Sequence, residues 1–278
     1  MKAKENSISI LKYLFLIFHF GISIYPLIWM GLNSFKDNEE IFSTNPFGLP
    51  QQWRVENYFK ALTELNLHVY FKNSLIIGLF AVIFTVLLSL MFSYATARMT
   101  WKGSSLMQTY MSLGMFIPIQ IVIIPLVILV QDLHIQQTYT SIILPYIAFQ
   151  LSFTSMVFFG FLKGIPKEVE EAAAIDGAGL FRTFFQIIVP LVKPSIATMS
   201  IFIILNNWNE FFVSNILISD DKIRTLPLAV MFLQGRFDQD WGTTAAVLTL
   251  SSLPVIILYL IFSEQVENAM TVGSAVKG

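Results

Sequence analysis

Six stretches of the chain are too long and too apolar to lie in water: residues 8–32, 73–97, 105–130, 141–162, 195–218 and 243–263. Bilayer hydrocarbon is about 30 Å thick, so a spanning helix needs roughly 20 mostly apolar residues at about 1.5 Å each. All six stretches reach that length. Across them the only formally charged side chains are Lys12, near the start of the first, and Glu210, in the fifth. In the whole chain 13% of residues are charged and 55% apolar, with 26 Phe. A soluble domain carries about 25% charge, so there is too little polar surface here to coat a soluble particle. The reading is all-α: a polytopic membrane protein of six transmembrane helices, a single domain over residues 1–278. Pro26, Pro118, Pro125, Pro145 and Pro254 fall within the stretches and predict kinked helices whose freed carbonyls are satisfied by neighbours.

The first stretch follows Lys2 and Lys4, as a secretory signal would. Its run exceeds an h-region of about 7–15 residues and no A-x-A-like site follows, so it reads as a retained helix. Ten of the 17 Lys and Arg, counting Lys12, fall on the side that holds both ends of the chain and segments 98–104 and 163–194. The short loop 131–140 has none. The positive-inside rule therefore puts both termini on the cytoplasmic side.

Several function classes drop out. A net charge of −1 gives no basic surface for nucleic acid. The absence of cysteine removes disulfides, thiolate metal sites and thiol catalysis. His19, His68 and His134 lie far apart and show no metal-ligand spacing. None of the 14 glycines precedes a lysine, so the chain has no Walker A loop for ATP.

The segment 164–194, GIPKEVEEAAAIDGAGLFRTFFQIIVPLVKP, reads as two short helices. Pro166 suits a first helical position, and Glu168, Glu170 and Glu171 favour the positive end of the helix dipole. Val169, Ala172 and Ala173 make one narrow apolar face, and Gly177 is a helix stop. From Leu180 to Val189, Phe181, Phe184, Phe185, Ile187 and Ile188 surround Arg182, a membrane-interface composition. On the residues alone this is either a docking element or a surface helix linking two spans.

Glu210 closes the run Asn206, Asn207, Trp208, Asn209, Glu210. An intramembrane carboxylate is costly unless paired, wet or near an interface. The amides, indole and carboxylate suit a hydrogen-bonding path for a polar solute, with Trp208 available to stack on an apolar face of it. They equally suit helix-to-helix glue, with Glu210 at the outer water boundary.

Segment 164–194 resembles the EAA loop of binding-protein-dependent ABC importer permeases. The pattern is E-A-A, three residues, G, nine residues, I-x-L-P. Glu171, Ala172, Ala173, Gly177, Ile187 and Pro190 stand at those intervals, and Val189 replaces the usual Leu. Further pieces resemble the carbohydrate class and its shorter maltose-type permease: Asn33-Ser34-Phe35-Lys36, Glu40-Ile41-Phe42, Glu56-Asn57-Tyr58, Asn73-Ser74-Leu75, Trp208-Asn209-Glu210 and Ala275-Val276-Lys277-Gly278, in that order. The resemblance implies a type I permease fold in a bacterial inner or plasma membrane. It implies that 164–194 docks as a coupling helix on a dimeric cytoplasmic ATPase, which binds the ATP and Mg. It further implies a second homologous permease, an extracellular or periplasmic solute-binding protein that docks on a loop such as 220–242, a sugar substrate, and a C-terminal tail at the ATPase interface. An ion-coupled secondary transporter of a small polar solute is the rival reading, for which a single intramembrane Glu is thin support.

Overall fold

A computed structural model describes residues 2–236 and 240–275, and the side chains of residues 11–232 and 240–263. Every regular element among them is helical: α1 (Lys2–Asn33), α2 (Glu56–Thr63), α3 (Leu67–Ala97), α4 (Ser104–Leu113), α5 (Ile119–Asp132), α6 (Thr140–Lys163), α7 (Glu168–Ile175), α8 (Leu180–Leu191), α9 (Lys193–Asn209), α10 (Phe212–Leu217), α11 (Leu226–Arg236) and α12 (Trp241–Ala275). Phe237 in the outer loop, Val276 to Gly278 at the C-terminus and the side chains of the tail from Met270 lie outside the described residues.

α1, α3, α6 and α12 each hold a run long and apolar enough to cross a bilayer, and two bent pairs pass the same test. The stretch 105–130, expected as one kinked span, is one of these pairs: Ser104–Phe116 meets Ile119–Asp132 at 102°. The cause is local. Ile117 is extended (φ −90°, ψ 106°) because it precedes Pro118, whose ring clashes with a helical neighbour. The stretch 195–218 is also not continuous, since Glu210 is extended (φ −73°, ψ 123°) and separates α9 from α10. The second bent pair is α8 with α9, at 75°. In α12 the helix is interrupted at Phe262 (φ −119°, ψ 23°), where the expected sixth span ends.

Two compact units partition the chain, residues 1–69 with 229–254 and residues 70–228 with 255–278. In the first, α1 exposes every side chain from Leu11 to Phe20, as a helix solvated by lipid does. Beyond it, Asn33, Ser34 and Lys36 are buried and the following loop is stitched by hydrogen bonds. The Arg54 amide donates to the Phe35 carbonyl at 2.9 Å. Asn57 Nδ2 donates to the carbonyls of Ser34 and Lys36 at 2.9 and 3.1 Å. Gly242 packs so close to Lys36 that a Cβ there would collide with the Lys36 carbonyl oxygen.

In the second unit α3 and α6 run through two apolar clusters. Ile77, Ala81, Ile142 and Ile147 belong to one, and Leu90, Val157, Phe158 and Leu162 to the other. Between the clusters the contact is polar and small: Ser89 Oγ donates to the Leu151 carbonyl at 3.4 Å and Ser93 Oγ to the Ser155 carbonyl at 2.7 Å. Lipid gives no hydrophobic drive for helices to associate, so close approach of small residues and such hydrogen bonds hold the pair.

Candidate functional site

The EAA-like segment begins where α6 ends. α7 starts at Glu168, two residues past Pro166, so the proline precedes the helix instead of opening it. Glu168, Glu170 and Glu171 occupy its first turn, where the dipole favours carboxylates. The expected apolar face divides. Ala173 is buried and Val169 half-buried, whereas Glu171, Ala172 and Ile175 point outward, Ile175 with 86% of its surface exposed. Gly177 ends the helix at φ +74°. Its amide bonds back to the Ala174 carbonyl and that of Ala178 to Ala173, the paired closure that glycine permits.

α8 is wound as a π-helix over Thr183–Ile188. Thr183, Phe184 and Ile188 turn inward and Ile187 is half-buried, while Phe181, Phe185 and Pro190 are exposed. Phe184 packs on Tyr94 of α3, ring centroids 5.1 Å apart. The loop is also held by a residue that the sequence entered only as a topology charge. Arg98, just past α3, buries its guanidinium against Glu170 and the carbonyls of Leu162, Ile165 and Pro166. Its partners are 64 to 72 positions away, a separation that no local spacing rule sees.

The run 206–210 does not converge on one point. Asn206 and Asn209 lie on one exposed face of α9, their Nδ2 atoms donating at 2.8 Å to the carbonyls of Phe202 and Leu205. Asn207 and Trp208 are buried on the other side. Gln150 Nε2 of α6 donates to Asn207 Oδ1, and Trp208 meets Phe71 edge-on at 5.4 Å. Glu210 is half-buried and accepts from Tyr146 Oη at 2.5 Å, from the Val213 amide at 2.8 Å and from the Ser214 amide and hydroxyl at 3.4 Å. The carboxylate thus takes amides that the first turn of α10 leaves unpaired, which is why the chain breaks there. Gln150 and Tyr146 escaped the sequence reading, although a lone amide within an apolar span is a usable signal. Among the described residues no His, Asp and Glu side chains cluster as metal ligands would.

Residues 89–272 match the family of binding-protein-dependent transport system inner membrane components. The chain belongs to this family. The match takes in Arg98, α7, α8 and the run 206–210. Among relatives, the permease is 34% identical over 274 residues to the diacetylchitobiose uptake system permease protein NgcG of Streptomyces coelicolor, covering 98% of this chain and 90% of that one. It is 33% identical to the probable starch degradation products transport system permease protein AmyC of Thermoanaerobacterium thermosulfurigenes, covering 94% and 96%. To the trehalose/maltose transport system permease protein MalG of Thermococcus litoralis it is 31% identical, covering 92% of each. A chain of a bacterial ABC transporter involved in the import of the acidic polysaccharide alginate shares the fold, with a TM-score of 0.84, 19% identity, and coverage of 94% and 97%. The permease is therefore a non-catalytic, multi-pass component of the inner membrane. Nothing in these likenesses supports an ion-coupled secondary transporter.

Proposed function

We propose that this permease, as one domain over residues 1–278, forms half of the translocation pathway of an ATP-driven sugar importer working by alternating access. The observation that carries the reading is α7: a short helix held from behind, ended by a left-handed glycine, and presenting Glu171, Ala172 and Ile175 outward. Such a helix fits a cleft on a cytoplasmic ATPase. Ala172 lets the partner approach the backbone, Glu171 accepts hydrogen bonds, and Ile175 supplies an apolar knob. Ala173 seats the helix on its own chain, Gly177 turns the path back, and Ile187 with Pro190 lead it into α9. One coupling loop addresses one of two ATPase subunits, so a second homologous permease completes the pore. The ATPase pair holds ATP and Mg, and this chain holds no cofactor.

A sugar cargo is supported by relatives named for diacetylchitobiose, starch degradation products and trehalose/maltose. A solute-binding protein delivers it, with segment 220–242 offering a docking surface, and both termini face the cytoplasm. An amide facing hydrocarbon is unfavourable, so the exposed pair Asn206 and Asn209 marks a face of α9 that meets the pathway. Asn207, Trp208 and Glu210 hold that face in place.

The test is uptake of a panel of radiolabelled mono- and oligosaccharides into proteoliposomes bearing the co-purified complex. Wild type should take up one of them only with ATP. Ala172→Trp should lower that uptake about tenfold, the scale of a lost coupling interaction, while the subunits still co-purify. Uptake driven by an ion gradient without the ATPase, or full uptake by Ala172→Trp, would overturn the reading.

A further inference from the structure

We propose that Arg98 is the positioning residue of the coupling loop: its buried guanidinium locks α7 to the ends of α3 and α6, so that the three elements move as one piece. This rests on the docking role given to α7 above and adds what fixes that helix in place. Arg98 follows directly on the last residue of α3, and its side chain is 4% exposed. Nε and Nη2 lie 2.7 and 2.6 Å from the same oxygen of Glu170, in the first turn of α7. Nη1 donates to the carbonyls of Leu162 and Ile165 at 3.2 and 2.7 Å, and Nη2 to that of Pro166 at 3.3 Å. These carbonyls belong to the end of α6 and the linker after it, at the negative end of the helix dipole; that of Leu162 also accepts from the Ile165 amide at 3.2 Å.

One side chain therefore closes the end of α6, neutralises it and pairs with α7. The geometry calls for arginine, because a planar fork can address several acceptors at once and an ammonium acts as a point charge. A second contact ties the rest of the loop to the same place. Tyr94, one helical turn before Arg98, packs on Phe184 of α8. Force on α7 then passes into α3 and α6 instead of bending the linker at Gly164 to Lys167.

The chain has no cysteine, so Leu79→Cys on α3 and Ala174→Cys on α7, both exposed, accept a pair of spin labels in the complete complex. With Arg98 present the distance distribution should be narrow. Arg98→Gln should broaden it and lower the solute imported per ATP hydrolysed about tenfold. Arg98→Lys, which keeps the charge without the fork, should fall between the two. If Arg98→Gln does not assemble, Glu170→Ala, which removes the acceptor of α7 and spares the carbonyl contacts, decides the matter and should broaden the distribution. An unchanged distribution in the variant that assembles overturns the proposal. A broadened distribution with unchanged import per ATP upholds the clamp and overturns the docking role of α7 instead.

Discussion

Asp240 shows how one side chain anchors a membrane helix at its wet end. Its carboxylate accepts from the Thr243 amide at 3.0 Å and the Thr243 hydroxyl at 2.8 Å, and pairs with Lys60 at 3.3 Å. Burial pushes its pKa up, but the two Thr243 hydrogen bonds and the Lys60 charge outweigh that and hold it below the ordinary 3.8. A lowered carboxyl contributes fully above its unfolded value and loses the contribution as pH falls through the folded one. In detergent, Asp240→Ala should cost about 1 kcal/mol at neutral pH, as lost N-caps do. Asp240→Asn still caps, so its melting temperature at neutral pH should stay near wild type, and below the ordinary carboxylate value it should fall less steeply with pH. Parallel slopes for the two proteins in fluorescence-monitored melts would remove Asp240 from the acid response.

At the scale of the element, the break between α9 and α10 separates two kinds of polar residue that the sequence had grouped. Glu210 is engaged by its own chain. Glu210→Ala should destabilise the permease by about 2 kcal/mol, the worth of hydrogen bonds to a charge, and depress assembly. Asn206→Ala should leave the melting temperature within the range of surface changes, about 0.5 kcal/mol, yet reduce sugar uptake. Reversed effects in paired melting and uptake measurements would exchange the two roles. Spans were legible in the sequence because lipid forces long apolar runs on any helix that crosses it, and the runs from α1, α3, α6 and α12 stand where they were expected. The break at Glu210 was not, since hydropathy counts the residue and ignores the amides it accepts. Of the site, the spacing of Glu171, Ala172, Ala173 and Gly177 was legible as a local pattern. Arg98 was hidden, because its partners lie two spans later, at the end of α6, in the linker after it and on α7.

On the function proposed above, the whole chain transports only with partners, and its orientation is the property that decides which surface each partner reaches. The absence of cysteine makes this measurable. A single cysteine at Asp176, exposed beside Gly177, should react with an impermeant maleimide only from the cytoplasmic side of oriented vesicles. One at Gln136, exposed in the loop between α5 and α6, should react only from the opposite side. Equal reactivity of the two from one side would contradict the placement of both termini in the cytoplasm.

The π-wound turn in α8 carries a consequence for the tolerance of the EAA-like loop to changes in length. Such a turn stores one residue more than an α-helix of the same rise. Losing one residue between Thr183 and Ile188 would return the turn to α winding with Leu180 and Leu191 still facing as they do. The same loss within α9 would swing Asn206 and Asn209 through about 100° around the axis. α8 is thus the part of the loop where a change in chain length does not become a change in direction.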